Sequence, residues 1–559
     1  MKKGDIVNLD IVGIDFPAKP YGYLENDDRK CFANTNVVPG QKIQARIGKI
    51  KNNKIELRDI VILESSENVA KPFCEKFNSC GGCSFQYLSY EKQAELKANL
   101  VYKLIDNVVK TKDYEKLPIV TMDKDKEYRN KMEFSFGNEY KDGPIILGLH
   151  KKNSFHDIVN VNECKLMDEN FRKIAKFTND FFSKKEISFY HRLTHIGFLR
   201  NLVIRKGEKT RELGVNIVTT SQAENYDIIS EYKEKLLNLD LSMELKSIIH
   251  TINDNKSDTV KADKDIILYG KRDITEKLFD LNFKISPYSF FQTNSFGVEK
   301  LYQEVINNLL LITNKFNEKP IVFDLFSGTG TIGQIVSKYS KEVYGIELIE
   351  EAVIKANENA LKNGITNAKF IDGDVFEKLR EFDKENIKPD ILILDPPRSG
   401  VGEKTIVKLL EYEVKHIIYV SCNPKTLAED LKIFEDNSYI LKRVVCVDMF
   451  GYTPHVETIV LLSKLDSKKY ISIELPMDDM DLTSAESKAT YKQIQNYVLE
   501  KFGFKVSTLY IAQVKRKYGL DIREHYNISN NESRKIPQCP IEKEEAIFDA
   551  LKYFKMVYY

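Results

Sequence analysis

Four-residue apolar runs that break into loops of proline, glycine and polar side chains constrain this chain more than any other feature. Ile391-Leu392-Ile393-Leu394 runs into Asp395-Pro396-Pro397-Arg398-Ser399-Gly400, and Ile417-Ile418-Tyr419-Val420 into Ser421-Cys422-Asn423-Pro424. Runs apolar on both faces fit strands buried between two layers of helices, the habit of parallel sheets. Open sheets of that kind collect ligands in loops beyond the carboxyl ends of their strands. In the second loop a thiol stands just ahead of a helix: Asn423 suits the N-cap, Pro424 the first turn, and Lys425 to Leu431 continue it. A cysteine so placed feels the positive end of the helix dipole, which favours the thiolate. A free cysteine taken alone is more often a core residue. The motifs around this one favour chemistry.

Upstream, Ile321-Val322-Phe323-Asp324-Leu325 leads into Phe326-Ser327-Gly328-Thr329-Gly330, and a helix is expected to begin near Ile332. Small residues there let a ligand approach the backbone. The next strand, Glu342 to Ile346, ends at Glu347, 19 residues beyond Gly328. That spacing suits an acidic side chain accepting hydrogen bonds from ribose hydroxyls. The loop lacks the Lys-Ser or Lys-Thr pair that cradles phosphates, so S-adenosylmethionine fits it better than NAD or ATP. Gly373-Asp374, after the strand Lys369-Phe370-Ile371, is placed to reach an adenine.

Phe291-Gln292-Thr293-Asn294, Asp324 to Gly330, Glu347, Asp395 to Gly400, Ser421 to Pro424 and His455-Val456-Glu457 together resemble the RNA uracil-5-methyltransferase family. More narrowly they resemble its members that carry an N-terminal TRAM domain and an iron–sulfur cluster and act on 23S ribosomal RNA. The resemblance spans roughly residues 1 to 465. It implies an α/β fold: a Rossmann-like S-adenosylmethionine-dependent methyltransferase domain with an N-terminal β-barrel (TRAM) and a central α+β iron–sulfur and RNA-binding domain. A small C-terminal helical extension lies outside it. By this resemblance Cys422 is the nucleophile, Glu457 the general base, and Gln292, Phe326, Glu347, Asp374 and Asp395 contact the cofactor. Arg398 is assigned to an RNA phosphate, with surface pairing as its alternative.

The chemistry explains why such residues are required. C5 of uracil is a poor nucleophile, so a thiolate must first add to C6, and a base must later remove the C5 proton. Glu457 opens the apolar run Thr458 to Leu462, where desolvation would raise its pKa. Two rival enzymes are disfavoured. Amino-group methyltransferases carry an aromatic residue where Arg398 stands, and RNA cytosine-5-methyltransferases place a cysteine inside the Asp-Pro-type loop. A transfer-RNA uracil-5-methyltransferase remains an alternative. A non-catalytic RNA-binding or ribosome-assembly factor would be expected to have lost Cys422 or Glu457; both are present.

Of eight cysteines, Cys74, Cys80 and Cys83 cluster, and Cys164 stands in Asn162-Glu163-Cys164-Lys165-Leu166. In a reducing compartment such a set reads as metal ligation, and spacing alone leaves zinc and a [4Fe–4S] cluster open. The family resemblance, with its Cys80-Gly81-Gly82-Cys83 segment, implies a [4Fe–4S] cluster held by Cys74, Cys80, Cys83 and Cys164. No step of methyl transfer needs an electron, so its expected role is structural or RNA-positioning.

The expected organisation is a TRAM barrel over 1–64, a central iron–sulfur domain over 65–285, the methyltransferase domain over 286–465 and an accessory domain over 466–559. Residues 1 to 64 carry eleven Lys and Arg against nine Asp and Glu, and the whole chain has a net charge of +1. RNA affinity must then come from local patches. Tyr128-Arg129-Asn130-Lys131 opens one, resembling the family's RNA-contacting segment. Another lies in 491–520, where six Lys and Arg oppose one Glu over two expected helices of helix-turn-helix character. No stretch is long and apolar enough to span a membrane and no apolar signal core follows Met1, so a cytoplasmic site is expected, with RNA as partner and no DNA.

Overall fold

The computed structural model describes residues 1–154, 156–185, 187–222, 227–256, 263–314, 316–465, 491–518 and 539–554. The chain forms two compact units, Met1–Ser467 and Lys468–Tyr559.

The first unit opens with strands β1 (Ile6–Asp15), β2 (Lys19–Leu24), β3 (Asp27–Ala33), β4 (Lys42–Lys51) and β5 (Lys54–Glu64). They close a barrel in the order β1-β2-β3-β5-β4, with β1 and β4 paired antiparallel. Period-2 alternation does this: Ile43, Ala45 and Ile47 of β4 point inward onto Leu9, Ile11 and Ile55.

Helix α1 (Tyr90–Asp106) begins at Ser89, whose hydroxyl accepts from Lys92 N, and β6 (Glu115–Lys116) follows. A central sheet then forms from β7 (Lys131–Gly137), β8 (Ile146–His150), β9 (Ile158–Val159), β10 (Leu199–Gly207), β11 (Glu212–Thr219), β12 (Glu244–Ile252) and β13 (Lys264–Gly270). Its order is β13-β12-β11-β10-β7-β8-β9. Phe134, Phe136, Leu202 and Ile204 pack on Phe171, Ile174 and Tyr232 of α2 (Glu169–Phe182) and α3 (Asp227–Leu237). The alternate residues Lys131, Glu133, Ser135, Asn201 and Arg205 belong to the opposite face.

A hairpin of β14 (Ile274–Leu278) and β15 (Leu281–Ile285) leads to α4 (Ser295–Thr313) and the catalytic layer. This continues as β16 (Ile321–Leu325), α5 (Thr331–Val336), β17 (Glu342–Glu347), α6 (Glu350–Lys362), β18 (Ala368–Asp372), α7 (Val375–Lys384), β19 (Ile391–Leu394) and α8 (Glu403–Leu410). It ends with β20 (His416–Ser421), α9 (Pro424–Asp436), β21 (Tyr439–Val447) and β22 (Glu457–Lys464). The sheet order is β18-β17-β16-β19-β20-β22-β21-β6, with β22 antiparallel to both neighbours. Alternate residues of each apolar run enter different cores. Ile391, Ile393, Ile418 and Val420 join one, and Leu392, Leu394, Ile417 and Tyr419 the other. That is why the runs carry no polar face.

The domain boundaries differ from the expected ones in the middle of this unit. Ala98, Val101 and Ile105 of α1 pack into the catalytic core, and β6 extends its sheet through Glu115↔Arg443 and Lys116↔Val444. The β14–β15 hairpin also buries Ile274, Leu278, Phe283 and Ile285 in that layer. Residues 65–285 are therefore not one domain. An amphipathic pattern says that a face is buried and not which core receives it.

In the second unit α10 (Tyr491–Phe502), α11 (Thr508–Lys517) and α12 (Ile541–Tyr553) enclose Ile494, Val498, Ile511, Val514, Ile547 and Leu551. Gly503 stops α10 at φ +77°, and Ser507 caps α11 by accepting from Tyr510 N. The third helix was not foreseen, and it changes the charge reading. Lys501 pairs with Asp549 at 2.7 Å and Lys517 with Glu544, so part of the basic patch is neutralised internally. Among the described residues no helix is long and apolar enough to cross a membrane.

Candidate active site

Strand direction brings the two expected catalytic residues together. In the β20–β22 pair Val420 faces Ile459 and Ser421 faces Thr458. Just past these partners Cys422 leaves β20 and Glu457 opens β22, and the thiol feels the Glu457 carboxyl. The Asp395 loop leaves β19, the parallel neighbour of β20, and is tied to the cysteine loop. Asn423 Nδ2 and Thr426 Oγ1 donate to Arg398 O at 2.9 and 3.3 Å. From below, the buried Asp430 accepts from Val401 N, Gly402 N and Tyr419 Oη at 2.8, 3.1 and 2.7 Å. The helix signal read from Asn423-Pro424 is realised, with Asn423 as N-cap.

The electrostatics are those of an enclosed acidic site. Burial, reinforced by the charge of Asp395 and opposed by Arg398, pushes the Glu457 carboxyl up to about 8. Asp395, part-exposed as a residue but with its carboxyl enclosed, is raised by burial to about 7. The thiol departs from the sequence expectation. Cys422 is raised to about 11 by burial and then by Glu457 and Asp395, while the charge of Arg398 pulls the other way. It precedes the N-cap, and carboxylates from β19 and β22 outweigh the helix dipole. In the free protein it is a thiol at neutral pH, and its ionisation needs a proton acceptor. His455 is lowered to about 4 by burial, then by Arg398, Arg129 and Lys97, and stays neutral.

The glycine-rich loop lies at the switch point, where β16 sits between β17 and β19. Phe326, Gly328 and Gly330 all have positive φ, at 64°, 54° and 69°. Such a conformation is uncommon for phenylalanine and marks a functional turn. A Cβ on Gly330 would sit 2.5 Å from the Phe370 ring, whereas one on Gly328 would meet nothing within 4 Å, so the loop is packed below and open above. Glu347 shapes it by accepting from Gly328 N and Ile349 N, both at 3.0 Å. Asp324 Oδ2 accepts from Gly333 N at 2.9 Å, while its Oδ1 is buried without a partner. That orphaned acceptor and the open loop fit a cationic, nucleoside-bearing cofactor. Asp374 caps α7 by accepting from Phe376 N and Glu377 N through Oδ1. Gln292 is positioned from the central layer, since Asn130 Nδ2 donates to its carbonyl at 3.0 Å and Asn130 N donates to Thr293 O.

Two participants escaped the sequence reading. Tyr302 of α4 is buried beside three carboxyls, and its phenol is raised by burial and then by Asp395, Asp324 and Glu457. Asp324, read only as part of a loop motif, is itself raised to about 8 by burial and then by Asp395. Neither carries a local signal, because each depends on neighbours from other elements.

The four cysteines of the expected cluster lie near one another. Cys80, Cys83 and Cys164 are each raised above the ordinary thiol range by burial, and each also feels Cys74. Gly82 N donates to Cys80 Sγ at 3.4 Å. Among the described residues, however, no set of three or more His, Cys, Asp or Glu is gathered as a single metal ion would require. This part of the chain is joined to the segment that leads into β22 and Glu457. Ser84 N and Phe85 N donate to Tyr452 O, and Tyr128 Oη donates to Gly451 O at 2.9 Å, just before the His455–Glu457 segment. Below, the buried Lys97 of α1 binds Asp448 Oδ1 at 2.7 Å and Phe450 O at 3.1 Å.

Comparison with known proteins agrees with this geometry. Residues 89–465 match the family model described as tRNA (uracil-5-)-methyltransferase. An uncharacterized RNA methyltransferase of Clostridium acetobutylicum is 45% identical over 464 residues, covering 83% of this chain and 99% of that protein. Another from Caldanaerobacter subterraneus is 42% identical over 466 residues, covering 83% and 100%. Among solved structures, the Pyrococcus abyssi tRNA (uracil-54, C5)-methyltransferase in complex with S-adenosyl-L-homocysteine superimposes with a TM-score of 0.63 at 26% identity. It covers 81% of this chain and 99% of its own. This chain belongs to the RNA uracil-5-methyltransferase family.

Proposed function

We propose that this protein methylates C5 of a uridine in RNA through a covalent bond between Cys422 and C6. The observation that carries this reading is the meeting of Cys422, just past β20, with Glu457, at the start of β22, beside Asp395. S-adenosylmethionine, when bound, supplies the electrophilic methyl group; Gln292, Phe326, Glu347, Asp374 and Asp395 are proposed to hold it. Cys422 first gives its proton to a neighbouring carboxylate and attacks C6. The C5–C6 π pair moves toward C5 and O4, making C5 nucleophilic. Once C5 carries the methyl group, Glu457 takes the C5 proton, the ring double bond re-forms and the C6–S bond breaks to return the thiolate. Arg398 is proposed to steady an RNA phosphate at the rim.

The four cysteines lie near enough for their thiols to feel one another's charge. An amide donating to Cys80 Sγ is also what a cluster-bound thiolate calls for. We propose a [4Fe–4S] cluster on Cys74, Cys80, Cys83 and Cys164 that stiffens this region and takes no electron in the reaction. Anaerobically purified protein should carry about four irons and four sulfides; stoichiometric zinc without iron would refute the assignment.

For the substrate we propose 23S ribosomal RNA, on the resemblance of the barrel and cysteine set to the enzymes that modify it. A transfer-RNA substrate is the second reading, favoured by the likeness to the Pyrococcus abyssi tRNA (uracil-54, C5)-methyltransferase. Mapping 5-methyluridine in both RNAs from cells with and without the gene separates them. We expect one or more sites to vanish from 23S RNA. Loss confined to transfer RNA selects the second reading, and no loss in either overturns the function.

A further inference from the structure

A cleft lies on the central sheet, where β7, β8 and β10 meet the segment around Tyr190. It includes none of the catalytic, cofactor-loop or clustered cysteine residues. Among the described residues its lining holds two arginines and three histidines and no carboxylate, which gives it a basic character. The rings of His156 and His191 lie parallel within 3°, their centroids 6.4 Å apart, and offer flat faces. His191 Nδ1 is buried without a hydrogen-bond partner. Two amides add polar edges. Asn201 donates to Ser135 Oγ at 3.4 Å and Asn138 to Gly143 O at 3.2 Å, leaving the amide oxygen of each to a ligand.

The walls are fixed before anything binds. Arg200 lies over the Tyr190 ring at 4.3 Å while its Nη1 donates to Asn253 O and Asn255 O, both at 2.7 Å. Tyr190 Oη and His195 Nδ1 are 2.8 Å apart, and Arg192 Nη2 lies 2.8 Å from His150 Nε2. At the rim the His191–Ile196 bridge closes a turn that exposes Leu193 at 71% and Ile196 at 67%. Apolar side chains at a cationic rim have no folding role, but they suit contact with unstacked bases.

The location connects this cleft to the active site. Ser135 and Asn201 share a sheet face with Lys131 and the buried Arg205. Arg205 donates to Ser289 O at 2.7 Å, beside the Gln292 loop, and its Nε is buried without a partner. From Lys131 to Gly137 the strand covers about 20 Å, a span of a few nucleotides. We propose that this cleft captures an unstacked purine of the substrate RNA, between His156 and His191, a few nucleotides from the methylated uridine. This inference rests on the RNA reading above. Stacking on imidazole with amide contacts to the base edge is a regular mode of single-stranded RNA recognition, and the guanidinium groups supply the charge for its phosphate.

The test uses the full-length protein with saturating S-adenosylhomocysteine, which blocks the cofactor pocket. Guanosine 5′-monophosphate is titrated while the ring resonances of the eight histidines are followed by NMR. His156 and His191 should shift together. In methylation assays on RNA from cells lacking the gene, the His156→Ala/His191→Ala protein should show KM for RNA raised about tenfold and kcat within twofold, with unchanged thermal unfolding. Absence of the shifts, or an unchanged KM, overturns the proposal. Shifts with guanosine monophosphate but an unchanged KM also overturn it, by making the cleft a free-nucleotide site. Failure of the wild-type protein to form 5-methyluridine would instead count against the proposed function, and the nucleotide titration would stand apart from it.

Discussion

At the scale of single residues, the proposed mechanism gives Cys422 and Glu457 different steps, so the two should fail differently. Cys422→Ala should abolish methylation and any covalent RNA adduct, because C5 is never activated. Glu457→Gln should still permit attack and methyl transfer but not loss of the C5 proton, so a methylated adduct should accumulate as a slow band on a denaturing gel. The same band from Cys422→Ala, or normal turnover by Glu457→Gln, would refute these roles. The raised carboxyls add a pH signature. Glu457 must be ionised to act as base, so kcat/KM should rise with pH through about 8. Asp395→Asn removes a neighbouring charge and should move that limb to lower pH. Stability runs the other way: a carboxyl raised on folding stabilises at acid pH, and the contribution is lost as pH rises through about 8. Between pH 5 and 9 the wild-type Tm should therefore fall more than that of Glu457→Gln. Both residues were legible in the sequence because each sits in a short linear motif at a strand end. The direction of the thiol's shift was not. A helix start is local, while the enclosing carboxyls come from strands elsewhere in the chain.

At the scale of elements, the buried Lys97–Asp448 pair is one tie between α1 and the segment that leads to Glu457, alongside Gln93, whose Oε1 accepts from Tyr452 N. Removing one member of such a pair leaves the other charge buried and costs about 3–5 kcal/mol. Lys97→Ala should lower stability by that order in chemical denaturation and reduce kcat, while Lys97→Met with Asp448→Leu should recover much of the stability. An unchanged unfolding midpoint in Lys97→Ala would show that the pair carries no such load. Caps and stops were readable from sequence. Ser89, Asn423 and Ser507 start helices and Gly503 ends one, as their side chains or lack of one dictate. The destination of α1 was not readable, since its apolar stripe fits either neighbouring core.

At the scale of the whole molecule, the family match ends at residue 465 and the second compact unit begins at Lys468. The relatives described above end with the first unit's length, so the three-helix unit is an addition to the shared enzyme. Deleting 466–559 should leave the first unit's unfolding transition intact and weaken RNA binding at moderate salt. The loss should stay below about tenfold, because Lys501 and Lys517 already have acidic partners. Unchanged affinity and salt slope would point to a protein partner. The sequence showed two of these helices and their charge; the neutralising third lies beyond a long intervening segment and could be placed only once its packing was seen.

The pairing of Glu115 with Arg443 has a consequence during synthesis. The edge strand and α1 leave the ribosome about 330 residues before the strand they join, roughly 15 to 65 s at ordinary translation rates. For that interval Ala98, Val101 and Ile105 have no native surface to cover them, and the barrel has completed its own hydrogen bonding long before. Nascent chains of this enzyme therefore present a finished amino-terminal module followed by a waiting apolar helix. A chaperone acting at the ribosome would meet that helix first.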